Sequence, residues 1–127
     1  MLKNTLLVGF GGFIGSVLRY LTTLFVHKII ITNFPLGTLI INLIGCFIIG
    51  IFYGLFDKGN LLSPNLRIFL SVGLCGGFTT FSNFSNDTIN LVNDSELLYL
   101  MLYMGLSIFA GISMTFLGKS IINYLWS

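Results

Sequence analysis

The chain has 127 residues, of which 55% are hydrophobic and only 8% are charged, and its formal net charge is +2 at pH 7. A soluble domain carries about 25% charged residues, so six basic and four acidic side chains cannot cover a water-exposed surface. The composition therefore indicates a membrane protein with several spans in a single domain, residues 1–127. The small net charge says nothing about nucleic acid, but the sequence contains no basic patch and no basic helix face, so we expect no nucleic-acid partner.

We predict four membrane-spanning helices, because four apolar segments are each long enough to cross a bilayer. They cover residues 4–26, 35–56, 65–92 and 97–124. The first segment continues past Arg19 with no small-residue cleavage site, so we expect a retained helix rather than a signal peptide. Arg19 either reaches back to the lipid headgroups or faces a watery cavity, and the sequence leaves both open.

Small residues in the first two segments predict close helix packing. Gly11 and Gly15 stand four residues apart, and Gly50 and Gly54 repeat that spacing. This is the spacing that lets two membrane helices approach closely.

Asn42 is an amide in the middle of the second apolar segment. A polar side chain at that depth is costly unless it is paired, so Asn42 either hydrogen-bonds another helix or contacts a ligand. Cys46 and Cys75 both lie in apolar runs, and we expect small buried thiols rather than a disulfide or a metal site.

The links between the segments carry helix-capping signals. Ser63 is predicted to cap the third segment, with Pro64 in its first turn. Either Asp94 or Ser95 is expected to cap the fourth segment. Four basic side chains on one side of the membrane face two on the other, which is a weak bias under the positive-inside rule. Such a weak bias permits insertion in both directions.

The third segment contains a stretch, residues 73–86, that does not resemble a lipid-facing helix. Gly76 and Gly77 are poor helix formers, and six hydrogen-bonding side chains follow within residues 79–86. Two stripes recur every third residue: Phe78, Phe81 and Phe84, and beside them Thr79, Ser82 and Ser85. A broken backbone at bilayer depth is tolerated only where protein or water covers it. We therefore predict a helix that is discontinuous around residues 76–80 and lines a narrow path for a small solute.

Three motifs in the order found here, residues 11–20, 37–45 and 73–85, resemble the CrcB/Fluc fluoride channels. In the fourth segment, Tyr103 and Ser107 lie one turn apart and form a polar spot, at a spacing that also resembles this family. The resemblance implies an all-α membrane protein with four transmembrane helices and a broken third helix. It also implies an antiparallel dual-topology dimer in the cell membrane, with two pores that export fluoride passively and no enzymatic activity.

The resemblance also implies roles for particular residues. Pore roles fall on seven side chains: Asn42, Thr80, Phe81, Ser82, Phe84, Ser85 and Tyr103. Arg19 matches a vestibule arginine, and the backbone carbonyls of Gly76 and Thr79 match ligands of a structural sodium ion (Na⁺) at the dimer centre. The sequence departs from the family pattern at Asn83, where threonine is usual, and at Asp87, where glutamate is usual. The shorter Asp87 side chain leaves its role open between an ion relay, a cap and a vestibule charge.

These residue types suit a fluoride path. Neutral amide and hydroxyl donors can replace the water around a small anion, and aromatic rings present a positive edge. A fixed positive charge would hold the ion too tightly, since conduction needs weak sites. The expected partners are fluoride, the lipid bilayer and a second copy of the chain or a paired homologous subunit, with no nucleic acid.

Two other functions fit a small chain with four spans. One is a proton-coupled multidrug or cation antiporter, which needs a membrane-embedded carboxylate. The only candidate for that role in the spans is Asp87. The other is a small structural or pore-forming membrane protein without a dedicated substrate, which would not need Asn42 or the two stripes.

Overall fold

The computed structural model describes residues 1–59 and 61–126, and all regular structure within them is helical. Helix α1 covers Leu2–Ile29 and helix α2 covers Leu36–Phe56. The third predicted span is divided into α3, residues 64–78, and α4, Phe81–Asn93. Helix α5 covers Leu97–Leu125. Within the described ranges, α1, α2 and α5 are long and apolar enough to cross a membrane, and the predicted interruption of the third helix is confirmed.

The interruption consists of two residues in extended conformation. Thr79 has φ −81° and ψ 157°, and Thr80 has φ −150° and ψ 118°. Both are β-branched residues, which favour extended backbone, and they follow the glycine pair that weakens the end of α3. The Thr80 hydroxyl then accepts a hydrogen bond from the Asn83 N–H and so caps the first turn of α4.

Two segments of the helices are wound more loosely than an α-helix. Ile68–Cys75 within α3 and Leu106–Ala110 within α5 are π-helical. Such segments occur frequently at functional sites, because they change which side chains and carbonyls face a neighbour. The sequence carried no signal that predicted them.

Glycines bring α1 against α3, which confirms the predicted close packing and identifies the partner helix. A Cβ atom on Gly11 would lie 2.9 Å from the Cα of Gly73, and one on Gly77 would lie 2.7 Å from the carbonyl oxygen of Gly12. A Cβ atom on Gly15 would collide with the carbonyl oxygen of Leu74. The two backbones are therefore in direct contact, which is how membrane helices gain packing energy without a hydrophobic driving force.

Helices α2 and α5 form the second close pair. A Cβ atom on Gly118 would lie 2.9 Å from the backbone nitrogen of Ile51, and one on Gly54 would lie 3.0 Å from the Cβ of Ile122. The Thr115 hydroxyl donates to the Cys46 carbonyl at 3.1 Å across the same interface. The chain thus contains two tightly packed helix pairs, and α4 lies outside both.

The caps of the third and fourth spans differ in how well they were predicted. The Ser63 hydroxyl accepts from the Leu66 N–H at 3.2 Å, as predicted for a cap followed by proline. The predicted cap of the fourth span is wrong, since α5 begins after Glu96 without a side-chain cap. Ser95 instead ends α4, with a left-handed φ of 58°. The N–H of Ser95 donates to Val92 at 3.1 Å and that of Glu96 donates to Leu91 at 3.0 Å.

This pair of hydrogen bonds is a Schellman motif, and it places serine where glycine is usually found. A left-handed conformation costs a residue with a Cβ atom about 1 kcal/mol. We therefore expect Ser95→Gly to raise the free energy of unfolding in detergent by about 1 kcal/mol. Ser95→Ala is the control and should give no gain, because alanine keeps the Cβ atom. A loss of stability in Ser95→Gly would contradict this account of the α4 terminus.

Candidate ion pathway at the break in the third span

A groove of about 490 Å³ runs along the break between α3 and α4. Six residues with predicted pore or sodium roles line it: Asn42, Gly76, Thr79, Thr80, Phe81 and Phe84. The rest of its wall consists of Gly45, Cys46, Ile49, Tyr53, Ser71, Cys75, Ser107 and Ile108. No charged side chain is among the described residues that line this groove. Helices α2, α3, α4 and α5 and the break therefore line a path of uncharged donors and aromatic rings.

Asn42 is paired with the backbone of the break. Its Nδ2 donates to the Thr80 carbonyl at 3.1 Å, and its Oδ1 accepts from the Thr80 N–H at 2.9 Å. A single side chain thereby satisfies both the backbone N–H and the backbone carbonyl of the buried residue Thr80. Of the two possibilities that the sequence left open, the hydrogen bond between helices is present. One of the two Nδ2 hydrogens is not used in this pair, so a role in the pore stays a prediction.

Hydroxyl groups continue from the break onto α4. The Thr80 and Ser82 hydroxyls lie 3.1 Å apart. Ser82 and Ser85 lie on the exposed face of α4 and do not line the groove. The predicted polar track is therefore divided, with Thr80 inside the groove and the two serines beside it.

Aromatic rings form a continuous contact from the groove into the protein interior. The Phe81 and Phe84 ring centroids lie 5.5 Å apart, and those of Phe84 and Tyr103 lie 5.2 Å apart. Phe81 is 78% exposed, whereas Tyr103 is completely buried. The Tyr103 hydroxyl donates to Asp87 Oδ2 at 3.1 Å. Tyr103 therefore supports the Phe84 ring from behind, and Asp87 fixes the hydroxyl of Tyr103.

Ser107 is a further candidate that the predicted pore set did not include. Its Oγ is buried in the groove wall, and it has no hydrogen-bond partner among the described residues. A buried hydroxyl without a partner is costly, which distinguishes Ser107 from the other residues that line the groove. The spacing of one turn from Tyr103 was the signal in the sequence that could have identified it.

Arg19 lies in a separate pocket of about 270 Å³ with Ser16, Tyr20, Thr23 and Asn83. This pocket contains three hydroxyl groups and one amide beside the guanidinium group. Asn83, one of the two departures from the family pattern, therefore belongs to the surroundings of Arg19 rather than to the groove. The predicted vestibule residue therefore lies in a pocket separate from the groove that contains Asn42, Thr80, Phe81 and Phe84.

The chain also matches a known protein family. The family model described as CrcB-like protein, Camphor Resistance (CrcB), matches residues 6–119. The chain belongs to the CrcB family.

Relatives in the CrcB family match almost end to end. A protein of Flavobacterium psychrophilum named fluoride-specific ion channel FluC is 46% identical over 124 residues, which are 98% of this chain and 100% of that protein. The protein of the same name from Azobacteroides pseudotrichonymphae is 47% identical over 93% of this chain and 94% of its own length. The Chlorobaculum tepidum protein, again of that name, is 45% identical over 99% and 98%. With three long apolar helices among its described residues, this CrcB chain is a multi-pass membrane protein.

Proposed function

We propose that this chain is the subunit of a fluoride-selective ion channel that exports fluoride passively, without catalysis. One observation carries the proposal beyond family membership. The groove at the break combines neutral donors with phenylalanine rings, and no charged side chain is among its described lining residues. Fluoride exchanges its water for such donors, and weak neutral sites allow it to leave again.

The side chains that would meet fluoride differ in chemistry. Ser107 offers an unpaired hydroxyl and Asn42 one amide hydrogen. The rings of Phe81 and Phe84 offer edges with a positive quadrupole. Phe81 and Phe84 also narrow the groove, which disfavours chloride because it is larger. Tyr103 holds the Phe84 ring in place by ring contact, and Thr80 holds the Asn42 amide by hydrogen bonding.

A second copy of the chain, inserted in the opposite direction, would complete the pore. Helix α4 exposes polar side chains beside its rings, including Ser82, Ser85 and Asn86. Polar groups that face lipid are costly, so another protein surface has to cover them. Phe81, at 78% exposure, lies on the same open side of the groove. An antiparallel dimer covers this face in both copies, in agreement with the weak charge bias of the sequence.

The break also fits a structural sodium ion. Gly76 and Thr79 line the groove, and Gly76 is exposed on the single chain. The Thr80 N–H, which an unbroken helix would direct to the Gly76 carbonyl, donates to Asn42 instead. Carbonyl oxygens are hard ligands that suit a hard cation. When bound, the ion would neutralise the carbonyl dipoles at the dimer centre.

The proposal is tested by fluoride efflux from liposomes that contain only this chain, measured with a fluoride electrode. We expect rapid fluoride release and no release of chloride from matched vesicles. Protein that leaves fluoride trapped would contradict the proposal. Efflux of an organic cation driven by an imposed pH gradient, with no fluoride release, would instead favour the proton-coupled antiporter.

A further inference from the structure

The two carbonyls matched to a sodium site are those whose helical donors are engaged elsewhere. In an α-helix the N–H of each residue donates to the carbonyl four residues earlier. In an unbroken helix the Thr80 N–H would donate to the Gly76 carbonyl. Here it donates to Asn42 Oδ1 instead, at 2.9 Å. The donor for Thr79 is the Asn83 N–H, which donates to the Thr80 hydroxyl at 3.2 Å. The Asn42 and Thr80 side chains accept these two N–H groups. The carbonyls of Gly76 and Thr79 therefore lack their usual helical donors.

We propose that Asn42 is a positioning residue for the cation site, which it keeps open by holding the Thr80 peptide out of the helix. The inference rests on the proposed function, since that function includes the sodium ion. It assigns Asn42 a task that differs from donating to fluoride.

The geometry of the amide supports this role. Asn42 satisfies both backbone groups of Thr80, its N–H and its carbonyl, through two hydrogen bonds near 3 Å. Thr80 is buried, and a buried N–H without a hydrogen-bond partner costs free energy, which favours a conformation that supplies another acceptor. The Gly76 carbonyl is the acceptor that helical geometry offers. Loss of the Asn42 amide therefore favours closure of the helix over the carbonyl that would face the cation.

The Thr80 side chain performs the equivalent task for the second carbonyl. Its hydroxyl caps α4 by accepting from Asn83, which removes the helical donor of Thr79. The release of the Gly76 carbonyl and that of the Thr79 carbonyl are linked, because the Asn42 amide binds the backbone of Thr80 and the side chain of the same residue forms the cap. A cation at the break thus depends on Asn42 directly and on the Thr80 hydroxyl in addition.

The test measures sodium binding separately from fluoride flux. The melting temperature of the purified full chain in detergent is recorded during titration with NaCl, with N-methylglucamine chloride keeping the ionic strength constant. Because a ligand that binds only the folded state stabilises it, we expect the wild type to gain stability with sodium. In Asn42→Leu, which keeps the branched shape of the side chain but removes its polar groups, the sodium concentration for half of that gain should rise about tenfold.

A matched control removes a different polar contact of the same helix. Thr115→Val eliminates the hydrogen bond from α5 to the Cys46 carbonyl of α2, one turn from Asn42. This variant should keep the sodium response of the wild type, whatever its overall stability. An Asn42→Leu variant that also keeps this response would overturn the inference.

A second pair of variants decides the matter if Asn42→Leu does not fold. Thr80→Ser keeps the capping hydroxyl and should retain the sodium response, whereas Thr80→Val should weaken it. Equal sodium responses in the two would count against the inference.

The outcomes separate this inference from the proposed function. A wild type that releases fluoride but shows no sodium response overturns the inference and leaves the channel proposal intact. A wild type that traps fluoride, with a sodium response that Asn42→Leu weakens, supports the inference and contradicts the channel.

Discussion

Replacing either Phe81 or Phe84 with isoleucine is expected to reduce fluoride efflux to the level of protein-free vesicles. Isoleucine keeps the apolar bulk of the side chain but has no ring edge to present to an anion. The two rings lie 5.5 Å apart on the groove, and the Phe84 ring also contacts Tyr103. Efflux from liposomes gives the measurement, and gel filtration in detergent shows whether each variant still assembles as the wild type does.

Phe116→Ile is a suitable control for these two variants. Phe116 lies on α5, is 73% exposed and does not line the groove. The substitution changes the same side chain in the same way on a face outside the groove, so its efflux should equal that of the wild type. Wild-type efflux in both Phe81→Ile and Phe84→Ile would overturn the assignment of the pore to this groove.

Asn42→Asp is expected to abolish fluoride efflux as well, for an electrostatic reason. A carboxylate places a negative charge in the path of an anion, and it cannot replace the hydrogen bond that Nδ2 donates to the Thr80 carbonyl. An isolated charge in the membrane also costs about 3 kcal/mol, so the folded protein should be less stable. Efflux and thermal unfolding are measured on the same preparation.

Undiminished efflux in Asn42→Asp would show that the anion does not pass near residue 42. Thr115→Val again provides a control, because it changes an α2 contact near Asn42 without adding charge. Its efflux should stay close to that of the wild type.

The sequence predicted those features of the fold that depend on local chemistry. Glycines four residues apart predicted close packing of the first helix, though not its partner, and a glycine pair followed by a run of polar side chains predicted the interruption in the third span. Helix propensity and small-residue packing act over a few residues, so a single sequence reveals them.

Other features depend on contacts between distant residues and could not be predicted. Asn42 and Thr80 are 38 positions apart, and only the fold makes them partners. The π-helical segments Ile68–Cys75 and Leu106–Ala110 were likewise not predicted. Either Asp94 or Ser95 was expected to cap the fourth span, but Ser95 instead ends α4, where two backbone hydrogen bonds offset the strain of its left-handed conformation.

For the candidate site, the sequence predicted which residues belong to it but not how they are arranged. The resemblance assigned seven pore side chains, and the groove contains four of them, Asn42, Thr80, Phe81 and Phe84. Ser82 and Ser85 lie on the exposed face of α4, where a single chain leaves them uncovered. Tyr103 lies behind Phe84. In the proposed dimer, the second copy of the chain would decide which of these groups an anion meets, and the sequence of one chain does not specify that surface.

The reversal potential of the current across a planar bilayer tests the central claim most directly. The bilayer contains only this chain, with a fluoride gradient in one direction and a chloride gradient in the other. A path lined by neutral donors and ring edges at the interrupted span predicts a current that reverses at the equilibrium potential of fluoride. Reversal at the chloride potential, or no current above that of the bare bilayer, would contradict the account.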